Sequence, residues 1–279
     1  MGGSVARALV ISSYVAQGSV GLRATMAALA GRGIDVIALP TITLSCHPGH
    51  AHFAGAVVPI ATLDDMLNAL DANGALAGVD AVLTGYLPSE AHVMFAQSAI
   101  DRVMAQNSNA FVMVDPVLGD DPDGLYIDAS AAKAVRDVLV PVAHILTPNR
   151  FELAYLSGTA IDCENDAVDA ARTLGVARVA VTSVPFGPTK LANVLVTSEW
   201  VLRTEATKVD HAAHGTGDVF AAILLARLLE GTDEKSALAS AAAIVAHAIA
   251  ISGDAPDLAL ERVDWTSQDV THVSPERLT

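Results

Sequence analysis

Five consecutive residues carry the most chemistry in this chain: His214-Gly215-Thr216-Gly217-Asp218, placed where an apolar run from Val219 to Leu229 begins. Two glycines let backbone N–H groups turn inward, and the first turn of a helix favours negative charge. Gly215, Thr216 and Gly217 would then form an anion hole for a phosphoryl group in flight. Asp218 stands beside it, where a carboxylate can accept a hydroxyl proton. The plainer reading is a glycine-rich turn with an aspartate stabilised by the helix dipole, and the motif alone does not choose between them. Neither a G-x-x-x-x-G-K loop nor a G-x-G-x-x-G fingerprint occurs at a strand–helix junction.

Three further stretches hold polar groups that could join it. Asp115-Pro116-Val117-Leu118-Gly119-Asp120 offers carboxylates at a strand end that suit Mg²⁺ or its waters next to phosphates; Asp-Pro and Gly-Asp also form ordinary turns. Thr147-Pro148-Asn149-Arg150-Phe151-Glu152 contains a capping-box pattern, with Asn149 as N-cap and Glu152 three residues on. Cys46-His47-Pro48-Gly49-His50-Ala51-His52 packs one Cys and three His into seven residues. That spacing is tighter than common zinc modules, and no second ligand pair accompanies it. A polar binding loop after a strand is the preferred reading.

These groups need a frame. Short apolar runs at Ala8–Ile11, Val36–Leu39, Ala81–Thr84, Phe111–Val114, Ile145–Leu146 and Val179–Thr182 read as strands. Helical periodicity covers the stretch up to about Arg32, then Leu63–Ala72, Ala91–Gln106, Ala131–Val138, Phe151–Leu156 and Ala167–Leu174. Strands alternating with helices predict a mainly parallel central sheet with helices on both faces. Asn193–Val196 and Val201–Thr204 predict an antiparallel hairpin. Val219–Leu229 and Glu234–Ile251 predict two terminal helices, and the tail after Gly253 an irregular polar segment. No linker or repeat divides the 279 residues, so a single domain spanning 1–279 is expected. Ligands of such sheets sit beyond the carboxyl ends of the strands. There lie Ser12–Ser13, the 41–52 segment, Gly85–Tyr86, Asp115–Asp120, Thr147–Glu152 and Thr182–Ser183.

Composition narrows the partners. Apolar residues make up 52% of the chain, enough for a large core, which excludes disorder for most of it. Lys and Arg number 16 against 31 Asp and Glu, a net charge of −15, which argues against nucleic acid and anionic membranes. Two distant cysteines suit a reducing cytosol, so a cytoplasmic location is expected. Met1–Val10 lacks a signal-peptide pattern. The apolar runs at Phe220–Ala226 and Ala237–Ile251 are interrupted by Arg227 and His247, and neither is expected to span a membrane.

Taken together, the motifs resemble those of the ribokinase superfamily and, within it, the pyridoxal kinases. The likeness runs in order from about Val10 to about Leu229. It rests on D-P-V-L-G-D at Asp115–Asp120, T-P-N-x-F-E at Thr147–Glu152, V-T-S at Val181–Ser183 and G-T-G-D at Gly215–Asp218. S-C-H-P-G-H-A-H-F-A-G at Ser45–Gly55 and T-G-Y at Thr84–Tyr86 extend it. The resemblance implies transfer of the γ-phosphate of ATP to the 5′-hydroxymethyl group of pyridoxal, pyridoxine or pyridoxamine. It implies Asp218 as base, with Gly215, Thr216 and Gly217 as anion hole. It assigns Asp115, Tyr126, Thr147, Glu152, Thr182 and Ser183 to ATP, and Asp115, Asp120 and Glu152 to the metal. Ser13, His47, Pro48, Tyr86 and Asp218 would meet the small-molecule substrate. Mg²⁺, an activating K⁺ and a homodimer are implied as well.

The chain departs from the family pattern on the vitamin side, with Ser12 for Gln, Cys46 for Asn and Pro48 for Thr. The alternatives are a hydroxymethylpyrimidine kinase, which usually has Cys in place of Asp218, a sugar kinase, or a non-catalytic pyridoxal-phosphate-binding protein on the same fold.

Overall fold

The computed structural model describes residues 5–209, 213–267 and 273–277. In chain order the elements are β1 (Arg7–Val15), α1 (Leu22–Gly31), β2 (Asp35–Leu44), β3 (Gly55–Val57), α2 (Ile60–Ala72), β4 (Ala81–Thr84), α3 (Glu90–Gln106) and β5 (Phe111–Val114). A small hairpin, β6 (Gly119–Asp120) and β7 (Gly124–Leu125), precedes α4 (Ala129–Ala134) and β8 (Ile145–Leu146). Then come α5 (Arg150–Ser157), α6 (Glu164–Thr173), β9 (Val179–Pro185), β10 (Lys190–Val196), β11 (Trp200–Thr207), α7 (Thr216–Leu229), α8 (Glu234–Ser252) and β12 (Val273–Arg277).

Ten of the strands form one sheet in the order β12-β11-β10-β9-β8-β5-β4-β1-β2-β3. Its centre, from β9 to β2, is parallel; β3 at one edge and β10, β11 and β12 at the other are antiparallel. The apolar runs explain the parallel centre. Ala8, Leu9, Val10 and Ile11 are all buried, as strands covered on both faces must be. Leu9 and Ile11 point to the face carrying α2 to α6, whereas Ala8 and Val10 point to the face carrying α1, α7 and α8. α7 is buried almost all round because the sheet, α1 and α8 surround it, which accounts for its unbroken apolar sequence.

Three expectations need correction. The segment after Gly253 is not irregular throughout, since Val273–Arg277 pairs with β11 as an added edge strand; residues 268–272 and 278–279 of that tail lie outside the described residues. The second strand runs on to Leu44, past Pro40, and the ladder shifts register opposite it, between Ser12 and Tyr14. Proline has no N–H to give, and a bulge accommodates that loss. Finally, the interruption at His247 does not keep α8 short of spanning length. The helix has 19 residues and is long and apolar enough to cross a membrane by length and composition. Here Ala237, Leu238, Ala241 and Ile244 are buried in the core cluster shared with α7.

The chain leaves β1 toward β2 on one side and returns to β4 on the other. The carboxyl ends of β1 and β4 therefore flank a topological switch point, where open sheets of this kind bind ligands.

Candidate active site

A hydrogen bond marks that switch point. Ser12 Oγ accepts the backbone N–H of Tyr86 at 3.1 Å. Thr41 Oγ1 in turn donates to the Tyr86 carbonyl at 2.7 Å, so the T-G-Y turn is held from both neighbouring strands. The fit is tight: a Cβ on Gly85 would lie 2.5 Å from Ser12 Oγ. Ser12, short where a Gln was expected from the resemblance, thus has a structural partner of its own. Ser13, the next residue, lies against Gly21. A Cβ there would meet the Ser13 carbonyl and hydroxyl oxygens at 2.3 Å, and Gly21 has a positive φ of 56°.

Gly21 matters because its backbone N–H donates to the carboxylate of Asp218. This contact joins the start of α1 to the start of α7. Gly215 precedes α7 with φ 96°, and a Cβ on it would fall 1.6 Å from the Ser19 carbonyl oxygen. Only glycine fits there. The first intrahelical bond runs from Val219 N to Gly215 O. The N–H groups of Thr216, Gly217 and Asp218 therefore come before the helix ladder and are open to an anion. A Cβ on Gly217 would meet nothing within 4 Å, so space lies over this end of the helix. Burial raises the Asp218 carboxyl to about 6, opposed by the Gly21 hydrogen bond. A base with that affinity is half-ionised just below neutral pH and can accept a hydroxyl proton.

Asp115 stands at the end of β5, buried, and Thr147 Oγ1 donates to its Oδ1 at 2.7 Å. Burial, followed by the field of Asp218, raises its carboxyl to about 7 despite the Thr147 bond. Glu152 is buried as well. Its Oε1 accepts Leu118 N–H at 3.0 Å and its Oε2 accepts Asn149 N–H at 2.8 Å, while Asn149 Oδ1 accepts Glu152 N–H at 2.9 Å. The capping box is therefore formed. The same carboxylate also fixes the turn that follows Asp115. Burial and the Asp115 charge raise Glu152 well above the ordinary glutamate range.

Asp120 and Tyr126 belong to the hairpin over this turn. Tyr126 N–H donates to the Leu118 carbonyl at 2.7 Å, and the Tyr126 ring is half exposed. Desolvation and then Asp120, Asp123 and Glu152 push its phenol to about 12, which keeps it a hydrogen-bond donor. Arg150 clasps the hairpin through an ion pair with Asp121. On the far side Thr182 N–H donates to the Pro148 carbonyl at 2.9 Å, bringing β9 beside the Thr147–Glu152 turn. Ser183 follows with φ 60°, the one non-glycine in the left-handed region among the described residues. It lies within β9, where the ladder with β10 shifts register between Val181 and Val184, and a bulge accommodates the left-handed backbone.

Thus Ser13, Tyr86 and Asp218 gather at the switch point, and Asp115, Thr147, Glu152, Thr182, Asp120 and Tyr126 line the adjoining strand ends. His47 reaches the same end by stacking on His214, with ring centroids 3.9 Å apart. Pro48 is exposed at the tip of its turn. Among the described residues no group of three or more His, Cys, Asp or Glu has the geometry of a closed metal site. Sequence reasoning missed the part played by Gly21, whose only signal is a glycine at a helix start, and it did not bring His50 and His214, each named within its own motif, together with Asp257 across widely separated segments.

A family model described as phosphomethylpyrimidine kinase matches residues 21–259. A pyridoxine/pyridoxal/pyridoxamine kinase of Bordetella avium is 37% identical over 248 residues, 86% of this chain and 83% of the relative. The chain belongs to the pyridoxal kinase family. Pyridoxal kinase of Bos taurus is 33% identical, covering 79% of this chain and 76% of its own length. Among solved structures, pyridoxal kinase from Leishmania donovani in complex with ADP and pyridoxamine superposes with a TM-score of 0.90 at 27% identity, over 98% of this chain and 99% of that one. A pyridoxal kinase from Entamoeba histolytica, at 22% identity and a TM-score of 0.91, shows the same ribokinase-like fold.

Proposed function

We propose that this chain transfers the γ-phosphoryl group of ATP to the 5′-hydroxymethyl group of pyridoxal and its related vitamers. The observation that carries the assignment is a half-buried carboxylate, Asp218, placed in the first turn of α7 beside open N–H groups and raised to about 6 by desolvation. Asp218 takes the hydroxyl proton as the oxygen attacks. The N–H groups of Thr216 and Gly217 receive the charge that builds on the phosphoryl oxygens. Ser13 and Tyr86 contact the acceptor ring at the switch point. Thr147, Tyr126, Thr182 and Ser183 contact the nucleotide along the strand ends.

A divalent cation fits this donor set. Asp115 is a buried carboxylate with no basic side chain among the causes of its shift, and the field of Asp218 adds to its burden. Mg²⁺ would be held by Asp115 and phosphate oxygens, with Asp120 at the hairpin edge, and would neutralise charge on the β- and γ-phosphates. Glu152 supports that site from behind by fixing the 115–119 turn. The K⁺ requirement rests on the resemblance and is read by comparing turnover in potassium and choline salts. The homodimer draws support from β3, an exposed edge strand that ends in exposed Val57 and is preceded by exposed Phe53, and is tested by sedimentation.

The deciding assay measures ADP release with pyridoxal, pyridoxine, pyridoxamine, hydroxymethylpyrimidine and ribose. Turnover of the three vitamers above the other two is expected. Because the matching family model is described by phosphomethylpyrimidine, preferential turnover of hydroxymethylpyrimidine is the competing outcome.

A further inference from the structure

The hairpin beside the strand ends, β6 and β7, has two residues in each strand. So short a pair does not hold itself in water, and its position comes from ties to the rest of the chain. Two of these ties lie at its base. Asn149 Nδ2 donates to the Gly119 carbonyl at 2.9 Å, and Tyr126 N–H donates to the Leu118 carbonyl at 2.7 Å. Gly119 is wedged between them, since a Cβ on it would fall 2.1 Å from the Gly124 carbonyl oxygen and 2.7 Å from the Phe151 ring. The tip is tied by Arg150, the first residue of α5. Its Nη2 pairs with Asp121 Oδ2, and its Nη1 donates to the Ile161 carbonyl at 2.9 Å. Ile161 is buried in the connection between α5 and α6, so the hairpin tip is fastened to the packed body of the protein.

Charge gives this tie a purpose. Asp120, Asp121 and Asp123 place three carboxylates within four residues of the tip. A nucleotide on the adjoining strand ends would bring its triphosphate toward them, and like charges in a partly desolvated site repel. A cation at Asp115 and Asp120 offsets part of that repulsion. Arg150 offsets another part, because it pairs with Asp121 directly and its charge acts on Asp120 as well. The planar guanidinium reaches a carboxylate and a carbonyl at once, which the point charge of a lysine does not do in a fixed geometry.

We infer that Arg150 is a positioning residue for the nucleotide: anchored on the Ile161 carbonyl, it holds the hairpin through Asp121, and so keeps Asp120 and Tyr126 against the triphosphate. The assignment rests on the kinase reading above. Arg150 acts through Asp121, at the tip of the hairpin, and not through the Ser12–Tyr86 switch point or the start of α7. It therefore sets the affinity for ATP and leaves the acceptor's affinity and the proton transfer at Asp218 untouched.

The test has two arms on the full chain. Amide hydrogen exchange read by mass spectrometry needs no turnover. Residues 120–126 should exchange faster in Arg150→Ala than in wild type, with β5 unchanged, and Mg²⁺ with a non-hydrolysable ATP analogue should protect them better in wild type. Steady-state kinetics should show the ATP KM raised about two- to fivefold in Arg150→Ala and in Asp121→Ala, the worth of a part-exposed ion pair. The pyridoxal KM and kcat should stay near the wild-type values. The double variant should be no worse than either single one, because both remove the same tie. Arg150→Lys, which keeps the charge, should recover part of the ATP KM. Unchanged exchange of the hairpin in Arg150→Ala overturns the tie whatever the substrate. A lowered melting temperature with an unchanged ATP KM, or equal rises in the ATP and pyridoxal KM, makes Arg150 a structural residue of α5 and overturns the positioning role. A wild-type enzyme that releases no ADP with any acceptor removes the kinase reading and the positioning role with it, and the exchange measurement tells that failure apart from failure of the tie.

Discussion

Thr147 Oγ1 donates to Asp115 Oδ1 over 2.7 Å, tying the carboxyl ends of two adjacent parallel strands, β8 and β5, with a buried charge-assisted bond. That bond favours the ionised carboxylate, yet burial and the Asp218 charge outweigh it and lift Asp115 to about 7. On the proposed reading, these two strand ends are where a divalent cation would sit.

The first prediction follows from that imbalance. Asp115 titrates near 3.8 when exposed and about 7 in the fold. The folded state binds this proton more tightly than the unfolded state. Its contribution to stability is therefore full below about pH 4 and is lost as pH rises toward 7. Asp115→Asn keeps the Thr147 bond and removes the buried charge. The ligand-free variant should gain on the order of 1–3 kcal/mol at pH 8 and nearly nothing at pH 4. Thermal melts at both pH values check this, and the same variant should need more Mg²⁺ for half-maximal turnover. A gain equal at both pH values would mean that the ionised carboxylate is not the source.

Asp218→Asn preserves shape, burial and the anion hole but removes the proton acceptor. We expect kcat to fall about 10²–10⁴-fold, the range typical of a general base, with ATP KM little changed. A loss of only a few-fold, about 1 kcal/mol in the barrier, would assign proton transfer elsewhere.

The pH profile should carry the same signature. Asp218 must be ionised to act, and burial holds it at about 6. Activity in wild type should therefore fall as pH drops through about 6. Saturating Mg²⁺ and ATP should move the limb to lower pH, because a cation at Asp115 favours ionised carboxylates around it. A flat profile between pH 5 and 8 would contradict the assignment.

Much of this arrangement was legible in the sequence because its strands are buried on both faces. Continuous runs such as Ala8–Ile11 and Phe111–Val114 announce a parallel sheet, and the polar residues that end them announce the ligand side. The capping box at Asn149 and Glu152 was equally plain, since both of its partners lie within one helical turn. β3 and β12 were not, because three exposed residues, Gly55–Val57, are too few to show an alternation, and Val273–Arg277 is a mostly polar run interrupted by Pro275. Nor was the Gly21 contact with Asp218, or the meeting of His47, His50, His214 and Asp257. These depend on packing between segments as far apart as His50 and Asp257, 207 residues, and no local spacing encodes them.

Glu152 separates a supporting role from a ligand role. Its two oxygens already accept Leu118 and Asn149 N–H groups, so Glu152→Ala removes the N-cap partner and frees the turn after Asp115. A stability loss of about 1–3 kcal/mol is expected, the cost of leaving buried donors unmet. Glu152→Gln, which keeps one carbonyl acceptor, should recover part of that stability and most of the Mg²⁺ dependence. If Glu152→Gln abolishes Mg²⁺ activation while folding normally, the carboxylate binds the metal directly.

The two glycines at the start of α7, proposed above as part of an anion hole, should respond differently to the same added methyl group. At Gly215 a Cβ would fall 1.6 Å from the Ser19 carbonyl, and φ is 96°. Backbone cannot yield as a flexible side chain does, so Gly215→Ala must displace either the loop after β1 or the start of α7. We expect a loss of several kcal/mol in stability, of the order seen for strained or overpacked sites, together with loss of turnover. At Gly217 a Cβ would meet nothing within 4 Å. Alanine is also a better helix residue than glycine, so Gly217→Ala should melt at or slightly above the wild-type temperature. Its methyl group would nevertheless stand in the open space before the free N–H groups, where the proposed reading brings the phosphoryl group. Catalysis should drop by about 10-fold or more while stability holds, since one misdirected oxyanion contact costs at least that much. Melting temperature and kcat measured side by side for the two variants decide the matter. If Gly217→Ala retains full kcat, the phosphoryl group does not approach the start of α7.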